Sequence, residues 1–375
     1  MEYKKLIKLM KCPSAIRGLL LGNKPLSEFD RDELKKLWVT GDGILKHPAA
    51  WNQSFERLLR EDSGLWELAR AFFTLDLRRV AHRCESAASA KVILLCVVKD
   101  DLSRIRVLLD WHRSLGVKHF AVIDDGSTDG TREYLEAQPD VDVFVSDVSY
   151  TTKIRQAWLA RLIDFYGFDR WYVTVDSDEL LTYEGCEDTN INSLIESLEA
   201  AGAKSGRAIL LDMYARNLYS EEDYDELNPY KGMEFFDSDG LKVIERLRYF
   251  GVAGGMRSRV FGLTPTLTKH PLFYAQPGFV PHHSHYSFPY EWNDNAKYIG
   301  VLRHYKFIPG DRDKYAKRAA EGNFVGGGQE YRKYEKIAAE GGVEAYFEGR
   351  SVRYSSSTSL KALRLPAGFD NREMR

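Results

Sequence analysis

Between Lys91 and Asp176 the chain carries four short apolar runs, VILLCVV (92–98), HFAVID (119–124), VDVFVS (141–146) and RWYVTVD (170–176). They are rich in β-branched residues and too continuous for strands with one wet face, so they predict strands covered on both faces. The intervening LSRIRVLLDWHRSLG (102–116), STDGTREYLEAQ (127–138) and IRQAWLARLIDFYG (154–167) have helical spacing. Such alternation folds as a mostly parallel sheet with helices on both faces. Ligands of these sheets sit at the carboxyl ends of strands. Two of the ends are acidic: AVIDDGSTDGT (121–131) and YVTVDSDE (172–179).

The remaining sequence frames this α/β core. Residues 1–89 have helical texture and no catalytic cluster, and are expected to form a helical N-terminal extension. Within it, residues 3–11 place Leu6, Ile7, Leu9 and Met10 on one side, which leaves room for peripheral membrane contact, although a packed terminal helix is the plainer expectation. The main domain is expected over 90–350 and a weakly ordered tail over 351–375. TNINSLIESLEAAG (189–202) predicts a helix and RAILLDMY (207–214) a strand. Residues 215–300, rich in Tyr, Gly, Pro and His, predict irregular loops over the strand ends. A net charge of -2 gives no bulk attraction to nucleic acid. Cys12, Cys84, Cys96 and Cys186 form no CxxC pair, as expected of reduced thiols in a cytoplasmic protein. No window approaches the roughly eighteen apolar residues of a membrane span, so the expected location is cytoplasmic, at most at the inner face of a membrane.

The acidic strand ends carry the candidate chemistry. Asp124 and Asp125 could accept hydrogen bonds from a nucleobase N–H and ribose hydroxyls, with Gly126 allowing a tight turn; the bland alternative is an Asx turn that caps the next helix. In an extended segment Asp176 and Asp178 would face one way and address one cation. Oxygen donors suit Mg²⁺ or Mn²⁺, with diphosphate oxygens completing the shell. A third ligand is sought among His270, His282, His283, His285 and His304. His304 ranks first, because Lys306 would lie on the same side of an extended segment, and His285 second. Arg257, Arg259 and Lys269 could engage a diphosphate or an acidic acceptor. Tyr214, Tyr219, Tyr286, Tyr290 and Trp292 could stack on sugars, though core packing is the commoner use of such rings.

VILLCVVKDD, HFAVIDDGSTDGT and WYVTVDSDE, in that order, resemble the GT-A-type glycosyltransferases, specifically glycosyltransferase family 2-like proteins of a bacterial branch. The similarity covers residues 91–180 and continues more loosely through LLDMY, GGMRSRVF, LTKHPLF and LRHYKF. It implies a GT-A-like, Rossmann-type fold and a metal-dependent, inverting transfer of a sugar from a nucleotide-diphosphate donor, with UDP the leading nucleotide. The acceptor would be a saccharide or lipid-linked molecule of bacterial surface polysaccharide synthesis. The resemblance puts Asp125 at the nucleoside, Asp176 and Asp178 at the metal as a DxD motif, and a C-terminal histidine, here His304, in the metal shell. Where many members have Asn or Glu after the first strand, this chain has Asp100 and Asp101, either placed to hold base or ribose. The family's Glu-Asp base motif has no clear counterpart. An inverting reaction needs a carboxylate to take the acceptor proton; Asp212, at a neighbouring strand end, is the candidate, with Asp237, Asp239 and Glu245 competing. A sugar-phosphate nucleotidyltransferase and a non-catalytic saccharide- or partner-binding protein remain as alternatives. A nicotinamide enzyme does not, because the first strand lacks GxGxxG.

Overall fold

The computed structural model describes residues 45–219, 225–246, 249–311, 329–340 and 342–369. The amphipathic stretch 3–11, Cys12 and the glycines 326–328 lie outside the described residues. In chain order the elements begin with α1 (Pro48–Glu61), α2 (Trp66–Thr74), β1 (Arg78–Ala81), α3 (Cys84–Ser89), β2 (Val92–Val98), α4 (Leu102–Ser114) and β3 (Phe120–Asp124). Next come α5 (Thr131–Glu136), β4 (Val141–Val145), α6 (Thr152–Tyr166), β5 (Arg170–Thr174), β6 (Glu179–Thr182), α7 (Ile191–Ala200) and β7 (Ser205–Asp212). They are followed by β8 (Asn217–Leu218), β9 (Phe235–Asp237), β10 (Lys242–Arg246), β11 (Tyr249–Ala253), α8 (Gly255–Phe261) and β12 (Thr268–Ala275). The last are α9 (Glu291–Asp294), β13 (Lys297–His304), α10 (Gln329–Ala339), β14 (Val343–Glu344) and β15 (Ser351–Arg353). None of the described helices is long and apolar enough to cross a membrane. The expected α/β class is present, with a mixed, mostly parallel central sheet.

Two compact units divide the chain. The first takes in residues up to Asp100, Lys118–Thr174 and Phe273–Trp292. Its strands run in the order β1-β4-β3-β2-β5, and β2 pairs parallel with β3 and β5, as β3 does with β4. β3 and β4 are buried at every position, which is why their sequences read as apolar runs, interrupted in β4 by buried Asp142. β1 pairs antiparallel with β4 and has an alternating, partly exposed pattern. That edge position explains why RRVA carries no apolar signal. α6 is buried on all sides through its middle and shares a core with α1 and α2 that includes Trp51, Phe55, Phe72, Trp158 and Ile163. Polar contacts fix the same helices: Asp164 accepts from the backbone N–H of Lys46 (2.8 Å) and His47 (2.9 Å), and Arg161 donates to the Phe72 carbonyl.

The second unit comprises Asp101–Val117, Val175–Leu272 and Asn293–Arg375. Its strand order is β12-β7-β13-β6, with β13 parallel to β7 and antiparallel to β6. Gly300 fixes this register. Its φ is +139°, and a Cβ there would stand 2.3 Å from the Thr182 carbonyl oxygen, closer than any side chain tolerates. The irregular region carries the β10–β11 hairpin and the short pairs β8–β14 and β9–β15. The segment after Ser351, expected to be weakly ordered, is instead anchored through residue 369. β15 pairs with β9, Ser356 and Ser359 form a capping box, Ser357 N–H donates to Glu187 (2.7 Å), and Arg207 donates to the carbonyl of buried Phe369. Apart from the local capping box, these ties are polar and long-range, which leaves no periodic pattern to read.

α4 is stitched to β6 by adjacent residues. Trp111 Nε1–H donates to the Leu181 carbonyl (2.7 Å), while fully buried His112 gives its Nδ1–H to the Leu108 carbonyl (2.8 Å) and takes the Leu181 N–H on Nε2 (3.4 Å). Both nitrogens are thereby used as a neutral imidazole. Burial, aided by Arg303, pushes His112 down to about 4. The unfolded chain takes up this proton near pH 6.5 and the folded one only near 4, so stability should fall as pH drops through that window and level off below it. The expected loss is ~3 kcal/mol. Urea unfolding of wild type and His112→Gln at steps from pH 7.5 to 4 checks this: the wild type should lose more stability than the variant across the window. Parallel curves would assign the pH dependence to other groups.

Candidate metal centre

In the second unit, strand register sets three chemically active residues in one row. β13 pairs His304 with Glu179 on β6 and with Asp212 on β7. All three are buried. His304 Nδ1 lies 2.7 Å from Asp212 Oδ1, while Nε2 faces Asp178 Oδ2 at 3.4 Å. With Nδ1–H donated to Asp212, the second nitrogen presents a lone pair to a carboxylate. That arrangement needs a proton or a cation between the two groups. Burial alone would lower His304, but Asp178 and Asp212 outweigh it and raise its affinity for a proton. Burial likewise opposes ionisation of Asp178, and His304, Lys306 and Arg104 hold it well below the usual carboxylate range.

Ligating atoms of Asp178, Glu179 and His304 lie within 4.8 Å of one another, the one such group of His, Cys and acidic residues among those described. Two carboxylates and an imidazole suit Mn²⁺ or Mg²⁺ better than a thiophilic ion. A histidine that donates its other N–H to a buried carboxylate is also the usual support for a metal ligand. The residues present therefore fit the expected cation. Asp178 and Asp176 have side-chain exposures of 22% and 37%, against 5% for His304, so this edge of the row is open to solvent.

Asp176 occupies a different position from the one its spacing implies. Residues 176–179 close a turn, with Glu179 N–H donating to the Asp176 carbonyl (3.0 Å), so the alternation of an extended strand does not apply. The Asp176 carboxylate receives Lys269 Nζ at 3.0 Å, and the same ammonium bonds Glu179 Oε1. Asp176 N–H in turn donates to Glu179 Oε2 (3.2 Å). Glu179, absent from the expected ligands, stands where Asp176 was expected beside Asp178 and His304.

The other basic candidates in this unit are structurally committed. Arg257 donates through Nε to Asp212 Oδ2 (2.9 Å) and bonds Glu330 (3.2 Å), whose carboxylate also receives Tyr334 OH. Lys306 lies over the rings of Tyr331 and Tyr334. Asp212 thus has both oxygens engaged. Against the effect of burial, Arg257 and His304 hold it at about 2. The competing acids are also committed: Asp237 is bound by Arg259 and Tyr214 OH, and Asp239 by Arg350. The side chain of Glu245 lies outside the described residues. Tyr214 and Tyr219 are buried in the core and do not offer a face to a sugar.

A buried brace supports the row. Arg104 on α4 donates to Asp101 (3.1 Å), to both oxygens of Asp311 and to the Tyr305 carbonyl (3.1 Å through its terminal nitrogen). Ser177, between the two motif aspartates, bonds Asp101, and Tyr230 stacks on Tyr305 at 3.8 Å while donating to the Ser177 carbonyl. The 177 turn and the chain just after His304 are thus held by one guanidinium. Neither Arg104 nor Asp101 was singled out by sequence for this role.

In the first unit, Asp100 and Asp124 form the turn after β3, and Asp125 is half-buried beside Lys99. Asp124 closes its own turn by accepting Ser127 N–H (3.2 Å), and Arg132 binds its carboxylate at 2.8 Å through Nε. Asp100 accepts from Thr128 N–H (2.7 Å) and hydroxyl. Both are spent on the 124–131 loop, where Gly126 has φ +75°. Asp125 has its carboxylate 3.6 Å from Lys99, and burial pushes its pKa up. Of His282, His283 and His285, the first is buried and packs on Tyr286 and Tyr290, and the second stacks on Tyr286. Tyr290 and Trp292 pack on the core. In the second unit His270 is buried on β12.

No protein-family model and no curated protein matches the chain. Solved structures resemble parts of it. Glucosyl-3-phosphoglycerate synthase from Mycobacterium tuberculosis, in complex with Mn²⁺, UDP and glucosyl-3-phosphoglycerate, is 15% identical over 35% of this chain and 46% of that one, with a TM-score of 0.23. A mannosyltransferase from Pyrobaculum calidifontis, in complex with GDP-Man and Mn²⁺, is 14% identical over 43% of this chain and 47% of that one, with a TM-score of 0.25. The chain covers less than half of each. A nucleotidyl transferase from Methanothermobacter thermautotroptrophicus is 13% identical over 66% of this chain and 96% of that one, with a TM-score of 0.26. Likeness this slight carries no weight for activity.

Proposed function

We propose that the chain is a metal-dependent glycosyltransferase that moves a sugar from a nucleotide-diphosphate donor, a UDP-sugar by the sequence resemblance, to a saccharide or lipid-linked acceptor of bacterial surface polysaccharide synthesis. The observation that carries this reading is the Asp178–Glu179–His304 group with Asp212 behind the histidine. Asp178 and His304 would hold Mn²⁺ or Mg²⁺, and Glu179 would complete the protein's share of ligands. Bound there, the metal would neutralise charge that builds on the leaving diphosphate.

Asp212 is assigned to orientation instead of proton abstraction. A carboxylate held at about 2 between an arginine and a histidine is a weak base. Its part is to fix the Nδ1–H tautomer of His304 and turn Nε2 toward Asp178. Asp212→Ala should weaken Mn²⁺ affinity by about 10–100-fold, and Asp212→Asn, which can still accept from Nδ1–H, should recover much of it. Calorimetry with Mn²⁺ checks this. Unchanged metal affinity in both variants, with turnover lost in both, would restore Asp212 as the base.

The reading as a whole is tested by titrating the chain with UDP, GDP and CDP, with and without Mn²⁺, beside an Asp176→Ala/Asp178→Ala double variant. Diphosphate binding that needs both the metal and these residues is expected. A folded chain that binds none of the three overturns the donor assignment and leaves a non-catalytic binding protein ahead.

A further inference from the structure

Lys269 is 7% exposed and sits between two acids of the candidate centre, bonded to Asp176 at 3.0 Å and to Glu179. The oxygens of Glu179 are both occupied, Oε1 by this ammonium and Oε2 by the Asp176 N–H. Yet Glu179 is one of the three residues whose ligating atoms converge. The same carboxylate is claimed twice, once by a fixed cation of the chain and once by the proposed metal.

Charge accounting points the same way. Among the described residues, Asp176, Asp178, Glu179, Asp212 and Glu330 face Lys269 and Arg257, with Lys306 and with Arg104 and its partners Asp101 and Asp311 farther off, an excess of acids over fixed cations. Without Lys269 the excess would be larger and Glu179 would be released as a ligand. We propose that Lys269 is an internal counter-cation that competes with the metal for Glu179 and keeps the free chain's grip on the metal weak. The inference rests on the metal-centre reading above, and adds a residue that tunes the centre without ligating it.

Neutral replacements should tighten metal binding, the reverse of what loss of a supporting residue does. Lys269→Met removes the charge and the donor. Lys269→Gln keeps a donor toward Glu179 and serves where the methionine variant does not fold. Lys269→Arg keeps the charge. Mn²⁺ alone is titrated into wild type and the three variants by calorimetry, and unfolding temperatures are taken with and without Mn²⁺. The neutral variants are expected to bind Mn²⁺ at least about tenfold more tightly than wild type and to gain more in unfolding temperature, with the arginine variant close to wild type. Neutral variants that fold only with Mn²⁺ also support the proposal. Equal or weaker affinity in the neutral variants overturns it while leaving the metal centre intact. If none of the four proteins binds Mn²⁺, the metal-centre reading falls, and the role of Lys269 with it.

Discussion

Asp178→Ala is expected to abolish Mn²⁺-dependent binding of a nucleoside diphosphate and to lower donor turnover by about three orders of magnitude. The estimate follows from the several kcal/mol that a cation contributes at a developing diphosphate charge, since each 1.36 kcal/mol is tenfold in rate. Asp178 is the acid that faces His304 Nε2 and, among the described residues, has no Lys or Arg at ion-pair distance in the way Asp212 has Arg257 and Asp176 has Lys269. Asp176→Ala should therefore cost much less in metal affinity than Asp178→Ala, although the two acids share one motif. Calorimetry of Mn²⁺ and of UDP with Mn²⁺, beside a UDP-release assay, gives the comparison. Equal losses in the two variants would return Asp176 to the metal shell, and undiminished metal-dependent UDP binding by Asp178→Ala would remove the centre from this position.

Arg104→Met should destabilise the fold by about 3–5 kcal/mol, because it removes the guanidinium that buried Asp101 and Asp311 share. Methionine preserves most of the volume, so the loss is electrostatic more than steric. Adding Asp311→Asn should recover part of it, as neighbours in one network are not additive. Denaturant unfolding of the single and double variants measures both. Through Asp101 and Ser177 the same change should loosen the turn that carries Asp178, so weakened Mn²⁺ affinity should accompany it wherever the variant folds. A loss below about 1 kcal/mol, as for an exposed pair, would show that the brace is not formed.

The central strands could be read from sequence because both of their faces are dry: VILLCVV coincides with β2, and HFAVID and RWYVTVD differ from β3 and β5 only at their ends. The helix expected over 127–138 contracts to α5, since Asp124 folds the chain back on Ser127 and Gly130 takes a left-handed conformation ahead of Thr131. Asp178, Asp212 and His304 could be picked out because each stands at or just past a strand end. Glu179 was not, because its partnership with His304 depends on an antiparallel pairing across more than a hundred residues that leaves no local pattern. ELLT after the acidic cluster is the signal that could have found it, had it been read as a strand. The arginine that binds Asp124 and the lysine that binds Asp176 come from other elements, α5 and β12.

Gly300 makes the candidate centre vulnerable from a distance. Any side chain there must push β13 off the Thr182 carbonyl, and the displaced strand is the one that delivers His304 four residues later. A one-residue insertion between the two would turn the imidazole to the opposite face of the sheet, whereas a change of length in the loop between β6 and α7 would leave the row in place. In laboratory evolution of this chain, silencing should therefore arise by insertion or deletion within a strand that holds only one of the ligands, with every acidic residue of the motif still intact.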